Sequence, residues 1–227
     1  MDRPRIRMTT RRLLWTAAVV AGSALLAPGA GLAQDVHQHA APDAHQHVAH
    51  AAHQHAAVPE IKAGEYTRTL RTYSVPDVTL VDRNGKPVRL RELLAADEPV
   101  MLNFIFTTCT AICPVMTSIF SNVPKQLGAS GGKLRMISIS IDPENDTPPQ
   151  LKAYASKFDA GPHWQFLTGS VENIVTVQRA FDNYRSDKMD HEPLTLLRPA
   201  PGQPWVRIDG FASPEDLAKE YQKVVLK

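Results

Sequence analysis

Apolar positions follow two rhythms along this chain. Val100-Met101-Leu102-Asn103-Phe104-Ile105-Phe106 is a short, nearly continuous apolar run with aromatic members, the pattern of a strand buried on both faces. Just beyond it, Val115, Ile119, Val123 and Leu127, with Met116 and Phe120 beside them, recur at helical spacing. The exchange of rhythms continues downstream. Leu134 to Ile141 alternates and is rich in β-branched residues, so it predicts a strand. Thr147-Pro148-Pro149-Gln150 supplies a capping residue, a first-turn proline and a capping-box glutamine for a helix to about Phe158. Trp164 to Thr168 predicts a strand, Val171 to Tyr184 a helix, and Leu194 to Leu197 and Trp205 to Ile208 two more strands. Ser213-Pro214-Glu215 opens a last helix reaching Val225.

Upstream the signals thin out. Val78 to Val81 and Pro87 to Leu90 flank Asn84-Gly85, a pair suited to the positive backbone angles of a hairpin turn. Pro59 to Arg71 has no clear periodicity and reads as a linker, with the first clear elements after Tyr73. Strands alternating with helices, closed by β-β-α, predict an α/β fold. The order matches a thioredoxin-like three-layer sandwich with an added N-terminal β-hairpin.

Composition places boundaries on this domain. At 227 residues, 43% hydrophobic and 21% charged, the chain suits one globular domain with extensions. Arg3, Arg5, Arg7, Arg11 and Arg12 precede an apolar run from Leu13 to Leu26 and small residues ending Gly31-Leu32-Ala33, the order of a secretory signal cleaved before Gln34. Thr10-Arg11-Arg12-Leu13-Leu14 is similar to a twin-arginine export signal, with leucine in place of the usual phenylalanine. No cysteine follows the cleavage point, which excludes a lipid anchor there; an uncleaved signal would act as a membrane tether. The expected organisation is a signal over 1–33, a histidine-rich tail and linker over 34–65, and a folded domain over 66–227, in a periplasmic or other extracytoplasmic protein.

Charge then excludes one class of partner. Residues 1–33 hold five of the 25 basic side chains and one of the 23 acidic ones, so the remainder carries 20 against 22, a net charge of −2. The basic balance belongs to the signal, and nothing supports nucleic-acid binding.

From Gln34 to Ala57 the chain is mostly alanine, histidine, glutamine and aspartate. His37, His39, His45, His47, His50, His53 and His55 lie in this tail, and His-Gln-His recurs at His37, His45 and His53 with a period of eight. Such a segment has no apolar surface to bury. Imidazoles two residues apart chelate Cu(II), Zn(II) or Ni(II). Metal capture by the tail competes with a plainer role as a solubilising spacer.

Both cysteines, Cys109 and Cys113, fall at the junction between the apolar strand and the first strong helix. Pro114 favours the first helical turn, which predicts a helix from Pro114 with Cys113 at its cap. Free amides and the positive helix end then favour thiolates, the form that attacks disulfides and binds metals. A bridge between residues four apart closes too short a loop to stabilise the fold much, so a reactive pair is the better reading. The sulfurs converge either on each other or on one soft metal ion.

Three features in the right order, spanning about residues 75 to 225, resemble the Sco/SenC family of copper chaperones. They are the strand Val100 to Phe106 followed by Cys109-x-x-x-Cys113-Pro114, the segment Ser140-Ile141-Asp142-Pro143-Glu144-Asn145-Asp146-Thr147-Pro148, and Asp190-His191 before the next strand. The resemblance implies that Cys109, Cys113 and His191 bind copper, as Cu(I) or Cu(II). Two thiolates and one imidazole suit Cu(I), and a three-ligand site leaves room for a recipient's ligand. Cys109 and Cys113 are also the implied redox-active pair, since disulfide formation removes both sulfur ligands. Implied partners are the copper-binding subunit of cytochrome c oxidase, whose Cu(A) site receives copper or has its cysteines reduced, another copper chaperone, and a thioredoxin-like reductant.

The chain departs from the family at Thr110-Ala111-Ile112, which lacks a proline after the first cysteine, at Arg198 and at His191-Glu192-Pro193. Pro193 is expected at the cis-proline position of thioredoxin-like folds, which suits a reductase as well as a chaperone; a cysteine thiolate at a helix terminus also suffices for a thiol-disulfide oxidoreductase or a thiol peroxidase. A periplasmic copper buffer is the third reading. His163 reads as structural, Met116 and Met189 as packing or surface residues, Asp146 as a cap, and Asp142 equally as a site or capping group.

Overall fold

The computed structural model describes residues 65–225, so the predicted export signal and the histidine-rich tail lie outside the described residues. Strands β1 (Tyr66–Arg71), β2 (Thr79–Asp82), β3 (Pro87–Arg89), β4 (Val100–Ile105), β5 (Arg135–Ser140), β6 (Trp164–Thr168), β7 (Leu194–Arg198) and β8 (Trp205–Gly210) form one sheet. Their order is β1-β8-β7-β4-β5-β6-β2-β3. β4, β5 and β6 run parallel; β7 is antiparallel to β4, and β8 to β7.

β4 is central because it is apolar on both faces. All six of its residues are buried. Met101 and Ile105 pack towards helices α2 (Ile112–Leu127), α3 (Pro148–Lys157) and α5 (Pro214–Val225), meeting Phe120, Val123, Leu151 and Leu217. Val100, Leu102 and Phe104 point the other way, towards α1 (Leu90–Ala95) and α4 (Val171–Ala180), meeting Leu94, Ile174 and Val177. The period-2 alternation of one strand thus divides the core into two halves and makes three layers. Each fully buried Leu, Ile or Phe contributes about 1.5–3 kcal/mol.

Several boundaries differ from those read in the sequence. Tyr66–Arg71 is an edge strand on β8, inside the stretch expected to be a linker. Most of its side chains are exposed, which left no hydrophobic pattern. β3 ends at Arg89, and Leu90 starts α1 without a side-chain cap. Between β2 and β3 only Gly85 has a positive φ (80°), while the Asp82 carboxylate accepts from the N–H groups of Asn84 and Lys86. α4 stops at Ala180 because Asp182 turns into the left-handed region (φ 52°). Thr147 precedes α3 with an extended backbone and no side-chain cap bond. The bond before Pro193 is trans. No helix among the described residues is long and apolar enough to cross a membrane.

Candidate metal centre

The cysteines sit where β4 hands over to α2. After Ile105 the buried Phe106 leads into a turn, and the Cys109 N–H donates to the Phe106 carbonyl (3.2 Å). α2 starts at Ile112, two residues before the expected point, so Cys113 lies inside the first turn and not at the cap. Both thiols are free; Cys109 is half-buried and Cys113 fully buried. Each sulfur accepts one backbone N–H: Cys113 N–H donates to Cys109 Sγ (3.4 Å), and Phe106 N–H donates to Cys113 Sγ (3.4 Å).

Burial changes the expected chemistry of the inner sulfur. Desolvation pushes the Cys113 thiol well up, the Phe106 amide offsets part of this, and Cys109 and Asp146 push it further in the same direction. The helix end therefore does not make Cys113 a thiolate by itself. A coordinated cation, as the largest local charge, reverses that balance and deprotonates a ligating thiol.

The loop after β5 braces the cysteine turn. Asp146 is completely buried. Its carboxylate accepts from the Thr107 N–H (3.1 Å), the Thr107 hydroxyl (2.6 Å) and the Ser140 hydroxyl (2.6 Å). It ties two loops together by accepting at the cysteine turn, while Thr147 holds the N-cap position of α3. Burial nevertheless raises its carboxyl above the usual range, against the pull of those donors. Asp142, also buried, pairs with Lys188 (Nζ to Oδ2, 2.6 Å) and accepts from the Asn145 side chain (3.0 Å).

Lys188 opens a 3₁₀ turn, Lys188–Asp190, that ends on His191. The His191 N–H donates to the Lys188 carbonyl (3.2 Å). His191 is only 5% exposed, and its buried ring nitrogens make no well-formed hydrogen bond, although the Phe104 backbone lies close enough to pull the ring towards its charged form. Burial pushes this histidine down to about 4, so the ring is neutral at ordinary pH and has a free lone pair. It lines a cavity of about 440 Å³ together with Asp142, Gln178, Asn183, Tyr184 and Lys188.

The two sulfurs meet; the imidazole does not join them. Among the described residues no three Cys, His, Asp or Glu side chains are gathered closely enough to hold a metal ion. Phe106 is the residue common to both halves. Its N–H holds Cys113, while its ring meets His191 edge-on with centroids 6.3 Å apart and lies under Lys188 Nζ at 5.6 Å.

Other candidates take structural places. Met116 is core, Met189 is 69% exposed, and His163 is an exposed residue whose carbonyl accepts from the Met136 N–H. The bracing roles of Thr107 and Lys188 left no local trace in the sequence. The histidines at 37, 39, 45, 47, 50, 53 and 55 lie outside the described residues.

Fold and site together define a thioredoxin-like α/β domain that carries a vicinal thiol pair at the first buried strand-to-helix junction. Residues 67–226 match the SCO1/SenC family, and the chain belongs to that family. It is 39% identical over 113 residues to the SCO1 protein homolog of Bacillus subtilis, covering 49% of this chain and 58% of that protein. It is 35% identical over 124 residues to the mitochondrial SCO2 homolog of Bos taurus, covering 53% and 45% respectively. These matches span about half the length of the relatives. Among solved structures, BsSco, a member of the Sco family of cytochrome c oxidase assembly proteins in which a disulfide switch was identified, superposes with a TM-score of 0.59 at 30% identity, covering 70% of this chain and 98% of that one. Bradyrhizobium japonicum ScoI with copper bound superposes with a TM-score of 0.56 at 30% identity, covering 66% and 99%.

Proposed function

We propose that this protein is a periplasmic copper chaperone that holds one copper ion through Cys109, Cys113 and His191. It delivers copper to the Cu(A) site of cytochrome c oxidase, or reduces the cysteines of that subunit beforehand. The observation that carries the reading is the neutral, buried His191 ring, which makes no well-formed hydrogen bond and is linked through Phe106 to a pair of free thiols. An unpaired buried imidazole costs free energy unless a ligand uses it. Two sulfurs and one nitrogen form a soft, low-coordinate donor set of the kind Cu(I) favours. The copper-bound Bradyrhizobium structure and the oxidase-assembly role of BsSco support the same conclusion.

The unequal exposure of the two cysteines favours a second, linked activity. Cys109 is accessible and Cys113 buried, the arrangement of an attacking and a resolving thiol. Oxidation of the pair to a disulfide releases two protons and two electrons to a client disulfide and removes both sulfur ligands. A thioredoxin-like reductant then restores the copper-binding form. The histidine-rich tail acts as a Cu(II), Zn(II) or Ni(II) chelator that raises the local metal supply and weakens below about pH 6 as its imidazoles protonate.

Anaerobic Cu(I) titration of the reduced protein lacking residues 34–57 tests the reading. One tight equivalent is expected, and its loss in His191→Ala supports the three-ligand site. Binding unchanged by His191→Ala rejects it and leaves a thiol-disulfide oxidoreductase. Loss of all tight binding on deletion of the tail alone identifies a metal buffer instead.

A further inference from the structure

The proposed ligand set is divided between two bodies. The cysteine turn is fixed to β5 through Asp146, whereas His191 rides on the segment between α4 and β7. That segment is internally stiff: the Asp187 carboxylate accepts from the Met189 N–H (2.8 Å), and the Asp190 and His191 N–H groups donate to the Asp187 and Lys188 carbonyls (3.1 and 3.2 Å). Arg185 and Glu192 close its base (2.7 Å). The hydrogen bond from this segment to the β5 loop is Lys188 to Asp142, made to a carboxylate that is 5% exposed. Lys188 Nζ also lies over the Phe106 ring, on which the imidazole is parked.

We propose that Lys188 is a positioning residue: its ion pair with Asp142 latches the histidine turn in a parked position away from the two sulfurs, and the latch opens when His191 closes on the metal. The proposal rests on the copper reading above. In this arrangement an incoming Cu(I) is first taken by the two cysteines, and the imidazole joins only after the Lys188–Asp142 contact is released. A parked majority lowers the apparent affinity by the fraction of molecules that are closed. The same device favours release, because a recipient's ligand that displaces the imidazole lets the turn fall back onto Asp142.

Two variants with opposite effects on local charge isolate the latch. Lys188→Met removes a cation and Asp142→Asn removes an anion, yet both break the pair. With the latch as described, both bind Cu(I) at least about threefold more tightly than the parent in anaerobic competition with a chromogenic chelator. Both also show faster amide exchange at Met189 to His191 in the metal-free protein. Lys188→Arg, which keeps the pair, retains the parental affinity. Neither gain survives in a His191→Ala background, since the latch acts only through that ring.

Shifts of opposite sign in Lys188→Met and Asp142→Asn identify a plain charge effect and overturn the latch. So do unchanged affinities in both variants when His191→Ala weakens binding. If His191→Ala alone leaves Cu(I) binding intact, the ligand assignment fails first and the latch with it. Should Asp142→Asn fail to fold, the contrast between Lys188→Met and Lys188→Arg, each measured with and without His191→Ala, decides the matter alone.

Discussion

Asp146 and Thr107 are joined twice, through the Thr107 N–H at 3.1 Å and the Thr107 hydroxyl at 2.6 Å, although 39 residues separate them. The same carboxylate takes the Ser140 hydroxyl at 2.6 Å. One buried group therefore fixes the end of β5, the loop beyond it and the turn that carries Cys109. Parallel strands deliver their loops to the same edge of a sheet, which is where α/β folds build their sites. β4 and β5 are parallel and in register from Val100 and Arg135 to Ile105 and Ser140, so the two loops emerge side by side and a short polar clamp spans them.

Removing that clamp has a defined cost. Asp146→Ala leaves the part-buried Thr107 N–H and the Ser140 hydroxyl without their acceptor, a loss of about 1–3 kcal/mol in urea unfolding of the reduced, metal-free protein. Asp146→Asn keeps one acceptor oxygen and costs less. Equal stability of Asp146→Ala and the parent contradicts the clamp.

The two thiols differ in access. Cys109 is half-buried and Cys113 fully buried, with its thiol pushed up by desolvation. In a pulse of iodoacetamide at pH 8 the reduced, metal-free protein is alkylated at Cys109 at least about tenfold faster than at Cys113, read by peptide mass mapping. Preferential labelling of Cys113 contradicts the buried placement.

Acid destabilises the metal-free fold through His191. Its folded value is lowered from 6.5 to about 4 by burial. The unfolded chain therefore takes up a proton at this ring before the native state does, and stability falls as pH drops from about 6.5 towards 4. The full contribution is about 3 kcal/mol at 1.36 kcal/mol per unit. His191→Gln removes this part of the slope, so the stability difference between parent and variant shrinks as pH falls. Parallel pH profiles contradict a buried neutral ring.

How much of this was legible follows from where the information lies. β4 and α2 were readable because local periodicity and burial agree there: every β4 residue is buried, and Met116, Phe120, Val123 and Leu127 form one helical face. The cysteines were legible as a pair because they share one turn. Pro114 is a strong local signal for the start of α2, yet Ala111 takes the cap and the helix begins at Ile112. α4 is shorter than its apolar pattern predicts because its stop is Asp182 in a left-handed conformation, a position more often marked by glycine. The Lys188–Asp142 and Asp146–Thr107 contacts span 46 and 39 residues, and no spacing rule reaches that far. A cluster of three ligands is what the resemblance implies, and in this structure the imidazole stands apart from the thiol pair.

β1 shows how a strand with little apolar character is held, and where it is vulnerable. Tyr66 pairs with Gly210 at the end of β8, and Gly210 has a φ of 110°. A Cβ at this position would lie 2.6 Å from the Glu65 carbonyl oxygen and 3.1 Å from the Tyr66 Cα, both backbone atoms. The Gly210 N–H also donates to the Pro193 carbonyl at 2.9 Å, just beyond the histidine turn. Further along, Arg68 reaches the buried Glu220 of α5 at 2.6 Å. Gly210→Ala therefore combines backbone strain with a steric push on β1, at a cost of at least about 2 kcal/mol in thermal unfolding. Trypsin should then cut after Arg68 or Arg71 under conditions in which the parent resists. Gly202→Ala is the control: that glycine also has a positive φ, 78°, but nothing lies within 4 Å of a Cβ there. It should cost about 1 kcal/mol from left-handed strain alone and leave β1 protected. Equal proteolysis of both variants would mean that β1 is held by Arg68 and Glu220 and not by close backbone packing at Gly210.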